Sequence, residues 1–386
     1  MTNATVSARR ISPFRLSVLI IVLIGLAFAG YTSVLTDYLW FDQLGFSSVL
    51  ITQIAAQSVM FVIGALVLGG VSGLSLAFAY RSRPIYLKFP DQNDPFSVYR
   101  QLIEQLRKVV MIGAPLILGI FGGVAASSRW ETALAWLNRT YTGDVDPQFG
   151  LDISFYFFDL PFLTAVTTYA SATVLISGLL AAFVHTVFGG IRFNGRKSSI
   201  TKAARVQIAI MATLYLLIQG VSLWLDQYKT MTNSSGLYTG ATYADVNAVI
   251  PGFQILAMIS VVVALLFLVA AFIGQWRLPI MATGLMVVSS LILGGLYPWV
   301  VQTFQVGPNE RTLEAQYIDR NIEATREAYG LDAVENQNYE AKTDTKAGAL
   351  RADAETTANI RIIDPTLVSA SFRQLEQFQQ YYNFEN

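Results

Sequence analysis

The feature that most constrains this chain is a series of seven apolar runs that hold no Asp, Glu or Lys, and no Arg except Arg205 near the start of the fifth: 16–35, 54–80, 109–126, 161–187, 203–225, 253–273 and 278–297. A helix needs about 20 apolar residues to cross a hydrocarbon layer of roughly 30 Å, and each run meets or approaches that length. Composition agrees, with 53% hydrophobic residues, 13% charged residues and a mean hydropathy of +0.47 over 386 residues, too apolar for a soluble domain of this size. The expected class is an all-α integral membrane protein with seven transmembrane helices followed by a mainly helical extracytoplasmic tail. The membrane domain is 1–297, and 298–386 begins the outside domain. The boundary falls in 297–331, because acids and bases recur every few residues from Glu310 onward.

The first run has a rival reading as a signal peptide, since Ala27-Phe28-Ala29 resembles a small-x-small cleavage site. The apolar run continues past it to Leu35, which favours a retained helix.

Net charge is zero, so the placement of each sign is what informs. Fifteen basic residues lie in the N-terminus and the second, fourth and sixth connections: Arg9, Arg10, Arg15; Arg81, Arg83, Lys88, Arg100, Arg107, Lys108; Arg192, Arg196, Lys197, Lys202, Arg205; and Arg277. The alternate connections hold only Arg129, Arg139 and Lys229. This asymmetry predicts a cell-membrane protein with a cytoplasmic N-terminus and, after seven crossings, an extracytoplasmic tail.

In the second connection Asp94 suits a helix cap and Pro95 a first turn, with Phe96, Tyr99, Leu102, Ile103 and Leu106 at helical spacing. Such a helix either lies along the cytoplasmic face or extends the third span. In the tail, Leu313, Tyr317, Ile318, Ile322 and Tyr329 give an apolar helix side, Asn309 or Thr312 is a candidate cap, and Gly330 is a stop. Residues 336–357 read as loop, Ile360, Ile362 and Ile363 as a short strand, and Asp364-Pro365 as the start of a second helix. The remaining chain is too small to cover two apolar helix faces, so they are expected to pack on the membrane domain, another subunit or further sequence.

Several motifs carry a family resemblance: WFDQLGF (40–46), DPQFGLDISFYFFDLPF (146–162), GATYADV (240–246), VGPNERTLEAQYIDRNIEATREAYGL (306–331) and NIRIIDP (359–365). Together they resemble uncharacterised protein family 0182. The resemblance implies long bacterial membrane proteins with seven N-terminal spans and a large extracytoplasmic portion. It implies no activity. Family members continue past YYNFEN (381–386), so this chain is expected to be an N-terminal fragment.

Chemistry is sparse. There is no Cys and one His, which removes disulfides, thiolate sites and histidine clusters; no nucleotide loop, serine triad or zinc motif occurs. No cofactor or metal is expected. His185 reads as an interfacial side chain rather than a proton relay. Gln57 and Gln219 read as interhelical hydrogen bonders, and Gly69/Gly73 with Gly119/Gly123 as close helix contacts around a Pro115 kink. The acids Asp37, Asp42, Asp144, Asp146, Asp152, Asp159, Asp226 and Asp245 lie in outside loops, where caps and turns account for most of them. Asp37, Asp42, Asp146 and Asp152 are the candidate ligand or metal cluster, should they converge.

The expected function is non-enzymatic: an envelope scaffold or interaction protein, with the lipid bilayer and an envelope protein or second copy as partners. A tail with 8 basic and 14 acidic residues excludes nucleic acid. The alternatives are a transporter of an uncharged or lipidic solute and an extracytoplasmic lipid-linked transferase using the loop aspartates.

Overall fold

The structure is a computed structural model that describes residues 13–84, 104–194, 197–234 and 238–335, with 337–339, 347–348, 351, 354–360 and 375 beyond them. The chain divides into two compact units, Met1–Arg326 and Glu327–Asn386.

Among the described residues of the first unit, seven helices are long and apolar enough to cross a membrane: Ile20–Gln43, Ser47–Arg81, Arg107–Ser127, Phe155–Val187, Lys202–Thr232, Asp245–Ile273 and Arg277–Leu313. Their regular segments are α1 (Pro13–Gln43), α2 (Ser47–Arg81), α3 (Arg107–Ser127), α5 (Leu160–Val187), α6 (Lys202–Asp226), α7 (Ile250–Ile273) and α8 (Arg277–Leu291), with the short α4 (Trp130–Leu137) after α3. Most helices outlast the apolar runs that announce them, because the backbone ladder continues into polar sequence until a turn residue stops it. Gly45, Gly274 and Gly330, for instance, adopt the left-handed conformation, with φ of 76°, 88° and 64°, at helix ends.

Packing follows the small residues. Helix α2 lies along α3 and also on α5, while α6 joins α5 to α7 and α8 follows α7. A methyl placed on Gly69 would sit 3.0 Å from the Pro115 carbonyl oxygen, and one on Gly119 3.0 Å from that of Ala65. The expected glycine contacts are therefore where α2 and α3 come backbone to backbone. Side chains then bond across helices: Tyr169 OH donates to the Gly64 carbonyl (2.7 Å), Ser260 Oγ to that of Leu216 (2.6 Å) and Ser171 Oγ to Gln219 Oε1 (3.1 Å). Gln219 thus makes an interhelical bond, whereas Gln57 has no side-chain partner among the described residues.

Four wide π turns share one cause. They cover Phe155–Asp159, Asp245–Val249, Ile292–Leu296 and Val301–Val306, and each ends two residues before a proline: Pro161, Pro251, Pro298 and Pro308. Proline lacks an N–H and its ring crowds the carbonyl four residues back. In each case the residue just ahead of it donates five residues back instead, as Leu160 N does to the Phe155 carbonyl and Ile250 N to that of Asp245. The turn widens and the helix continues.

Two of these entrances repeat. GLDISFYFFDLP (150–161) and GATYADVNAVIP (240–251) run in register from a left-handed glycine (φ 67° and 131°) through a polar cap to the π turn and its proline. Helices α5 and α7 therefore start with the same local device.

A β-hairpin absent from the sequence reading joins α5 to α6: β1 (Ile191–Asn194) pairs antiparallel with β2 (Lys197–Ile200), Asn194 opposite Lys197. Its signal was Gly195 directly after β1, the residue type favoured at the first position of a two-residue hairpin connection. The tail helix appears as α9 (Ala315–Ala328), preceded by a single turn at Glu310–Leu313. Asn309 stands at the cap position of that turn without a side-chain capping bond.

In the second unit, residues Ala354–Asn359 form α10, where the sequence reading ran a loop to Thr357. Ala354, Glu355 and Ala358 supply helix propensity that the polarity of the segment masked. Asp94, Pro95, Phe96, Tyr99, Leu102 and Ile103 of the expected interfacial helix lie outside the described residues. So do Ile362, Ile363 and, apart from Leu375, the expected second tail helix.

Candidate functional site

One end of the first unit carries the long connections and most of its acids. There, loop 139–154 closes on itself through Asp146, which is buried. Asp146 Oδ1 accepts from the amides of Gln148 (2.9 Å) and Phe149 (2.7 Å), and Oδ2 from the Leu151 amide (3.0 Å) and the Tyr156 hydroxyl (2.8 Å). A carboxylate has about four lone-pair sites, so these donors fill it. The local sequence explains the shape: Asp-Pro starts the turn and Gly150, in the left-handed region, returns its N–H to the Asp146 carbonyl at 3.0 Å.

Asp152 stands opposite Val145 in an isolated bridge and caps the α5 entrance. Its Oδ1 accepts from the Ser154 amide (2.8 Å) and the Thr142 hydroxyl (3.1 Å), its Oδ2 from the Gly143 amide (2.9 Å). Hydrogen bonding from Ser154, helped by the amides of Gly143 and Thr142, holds this carboxyl far below the usual carboxylate range.

Other acids of this end are engaged as well. Asp159 accepts from Trp136 Nε1 (3.0 Å) and pairs with Arg139 Nε (3.6 Å), docking α4 on the start of α5. Asp226 pairs with Lys229 at 2.6 Å. Asp245 and Thr242 form a reciprocal capping box: Oδ2 accepts from the Thr242 amide (3.0 Å) while Thr242 Oγ1 accepts from the Asp245 amide (3.2 Å).

Sequence reasoning passed over a buried acid that joins segments far apart in the chain. Glu314 lies between the Glu310–Leu313 turn and α9, and it is 3% exposed. Its carboxylate accepts from the Tyr238 hydroxyl (2.7 Å) and, with both oxygens, from the Tyr243 amide (3.1 and 3.2 Å). Arg320 Nη1 donates to Gln148 Oε1 (3.2 Å), Asn321 Nδ2 to the Thr239 carbonyl (3.1 Å) and Gln305 Nε2 to the Tyr243 hydroxyl (3.0 Å). Burial, then the bond to Glu314, pushes the Tyr238 phenol well above its ordinary value. The available signal was a charge on an apolar face, since Glu314 precedes Tyr317 and Ile318 by three and four residues.

Of the four candidate residues, then, Asp146 and Asp152 share one loop and spend their oxygens on its backbone. Asp37 and Asp42 lie exposed on the last turns of α1, without side-chain hydrogen bonds. Among the described residues, no three His, Cys, Asp or Glu side chains gather so as to hold a metal ion.

His185 departs from its expected interfacial setting. It is 1% exposed between α2, α5 and α6, with Nε2 at 2.8 Å from Gln207 Oε1; Gln207 Nε2 donates onward to the Ser75 carbonyl (2.9 Å), and Ser75 Oγ to that of Ser177 (2.9 Å). Three helices close around this buried polar chain, which fits a structural clasp.

The comparisons with known proteins give one answer. Residues 14–386 match the model of the Uncharacterised protein family (UPF0182). Similar curated relatives, each named only as a UPF0182 protein, include those of Clavibacter michiganensis subsp. michiganensis (51% identical, 99% of this chain and 39% of the relative), Leifsonia xyli subsp. xyli (49%, 95% and 37%) and Tropheryma whipplei strain TW08/27 (45%, 94% and 38%). The chain thus spans about two fifths of the length of these relatives. No solved structure matches it.

Proposed function

Because the chain belongs to the uncharacterised protein family UPF0182, whose name carries no activity, we propose a function from its own architecture: a seven-pass cell-membrane protein acting as a non-enzymatic envelope scaffold. Its N-terminus is cytoplasmic, and the acidic end forms an extracytoplasmic platform for the rest of the outer portion. The observation that carries this reading is Glu314, a buried carboxylate that ties the root of the tail to the 238–243 segment. Carboxylates committed to backbone amides and phenols suit a rigid mounting better than a reaction.

The test uses the full-length protein in its native membrane. Deleting everything from Glu327 onward is expected to abolish in-cell crosslinking to envelope partners while the seven helices still resist alkaline extraction. Retention of every partner overturns the scaffold. The transferase reading retains Asp37 and Asp42 as its accessible acids, so loss of a cellular phenotype on Asp37→Ala with Asp42→Ala, at unchanged crosslinking, would replace the scaffold with an enzyme. Because the chain contains no Cys, single cysteines at Asp144 and Lys202 report orientation directly through an impermeant maleimide.

A further inference from the structure

The opposite end of the first unit is basic, and two of its buried donors have nothing to bond. Arg205 Nε, in the first turn of α6, and Trp276 Nε1, in the turn between α7 and α8, are both buried without a hydrogen-bond partner. Both lie at the end of α7: a Cβ on Gly274, which ends that helix in the left-handed conformation, would collide with Arg205 Nη1, and Trp276 follows two residues later with its ring packed edge-on to Phe267. No carboxylate or carbonyl among the described residues accepts from the Arg205 guanidinium, so it is neither an ion-pair partner nor a cap on the last carbonyls of α7.

A buried N–H without an acceptor costs about 1–3 kcal/mol, and more on a charged group. Such a group in a native fold calls for an explanation, a bound ion among them. The adjoining segments supply no acid of their own: 188–205 and 274–277 contain Arg192, Arg196, Lys197, Lys202, Arg205 and Arg277 and not one Asp or Glu. Lys202, three residues before Arg205 on the same helix face, and Arg277, next to Trp276, are exposed and unpaired. Positive-inside placement accounts for exposed cations; it does not account for a buried, unpaired Nε on Arg205 and Nε1 on Trp276.

We infer that this corner binds a phosphate oxyanion, held by the Arg205 fork and the Trp276 N–H with Lys202 and Arg277 at its rim. Guanidinium donors match phosphate oxygens in pairs, which a soft surface lysine cannot do. An anionic phospholipid headgroup is the favoured source, because Phe272, 79% exposed at the end of α7, offers apolar surface for an acyl chain beside the charged corner. This choice of source rests on the membrane reading above; the phosphate chemistry does not.

The experiment titrates the purified full chain in neutral detergent with short-chain phosphatidylglycerol, phosphatidylcholine and inorganic phosphate, counting retained molecules by native mass spectrometry. Wild-type protein is expected to retain phosphatidylglycerol in preference to phosphatidylcholine. Arg205→Gln should weaken retention about tenfold, the scale of one charge-assisted pair. Trp276→Phe keeps an aromatic ring against Phe267 while removing the N–H, gives a second variant should Arg205→Gln fail to fold, and should weaken retention severalfold. Inorganic phosphate that displaces the lipid at matched concentration sustains the phosphate site and assigns it to a soluble anion. Unchanged retention in Trp276→Phe, or equal retention of the two lipids, overturns the site. Loss of alkaline-resistant membrane association would sink the membrane reading while leaving this solution measurement standing.

Discussion

The two ends of the helical unit treat charge in opposite ways. At the acidic end Asp146, Asp152, Asp159, Asp245 and Glu314 have amides, hydroxyls or a cation within hydrogen-bonding or ion-pairing reach, and the loops they serve are rigid because of it. At the basic end Arg83 is paired with Glu104 and stacked 4.0 Å over Tyr80, while Arg205 keeps a buried N–H with no acceptor among the described residues. A carboxylate can be satisfied by the backbone amides of its own loop, and so serves as an internal staple. A guanidinium needs oxygens aimed at it, and where the chain supplies none the demand passes to a ligand.

The largest expected effect in this contrast comes from the acidic staple. Asp146→Ala removes the acceptor of three amides and one buried phenol and should cost about 3 kcal/mol, the scale of orphaned buried donors. Thermal unfolding in detergent measures it, and a shift no larger than that of an exposed control such as Asp37→Ala would contradict the staple. Next comes Glu314→Ala, expected to cost about 2 kcal/mol locally by the same logic. Hydrogen exchange should speed up in 238–247 and 310–325 while the buried Gln207 region stays protected; uniform acceleration would mean that Glu314 serves the whole bundle.

Weaker effects follow from titration. The Tyr238 phenol is held above its ordinary value, so its contribution is full below pH 10, the unfolded value, and is lost as pH rises through the folded one. Tyr238→Phe should abolish that alkaline loss, readable as tail proteolysis against pH. Asp152 runs the other way. Its carboxyl lies below 3.8, so the stability it adds is complete above that pH and falls away as acid brings the solution through its depressed value. Asp152→Asn should flatten the acid limb of the unfolding curve slightly, and an unchanged limb would assign the acid response elsewhere.

Legibility differed between elements for physical reasons. Seven long apolar helices could be read from the chain because hydrophobic run length is a local property, and Gly69 and Gly119 announced close packing by their size alone. Asp146-Pro147 also spoke for itself, since a turn that bonds its own backbone needs no distant partner. The hairpin of β1 and β2 left only Gly195 as its signal, because two four-residue strands are too short to show an alternating pattern.

What the sequence by itself determined is therefore whatever is encoded in neighbours: the number and length of the apolar helices, the sign of charge at each connection, the proline-induced wide turns and the self-capping aspartates. Only the tertiary structure decided which residues far apart in sequence meet. It set Glu314 on Tyr238 and Tyr243, His185 on Gln207, and Arg205 against Gly274, over separations of 76, 71, 22 and 69 residues. Helix periodicity constrains which face a side chain occupies, but the choice of facing helix is made by packing, where small residues let backbones approach and buried polar groups must find one another.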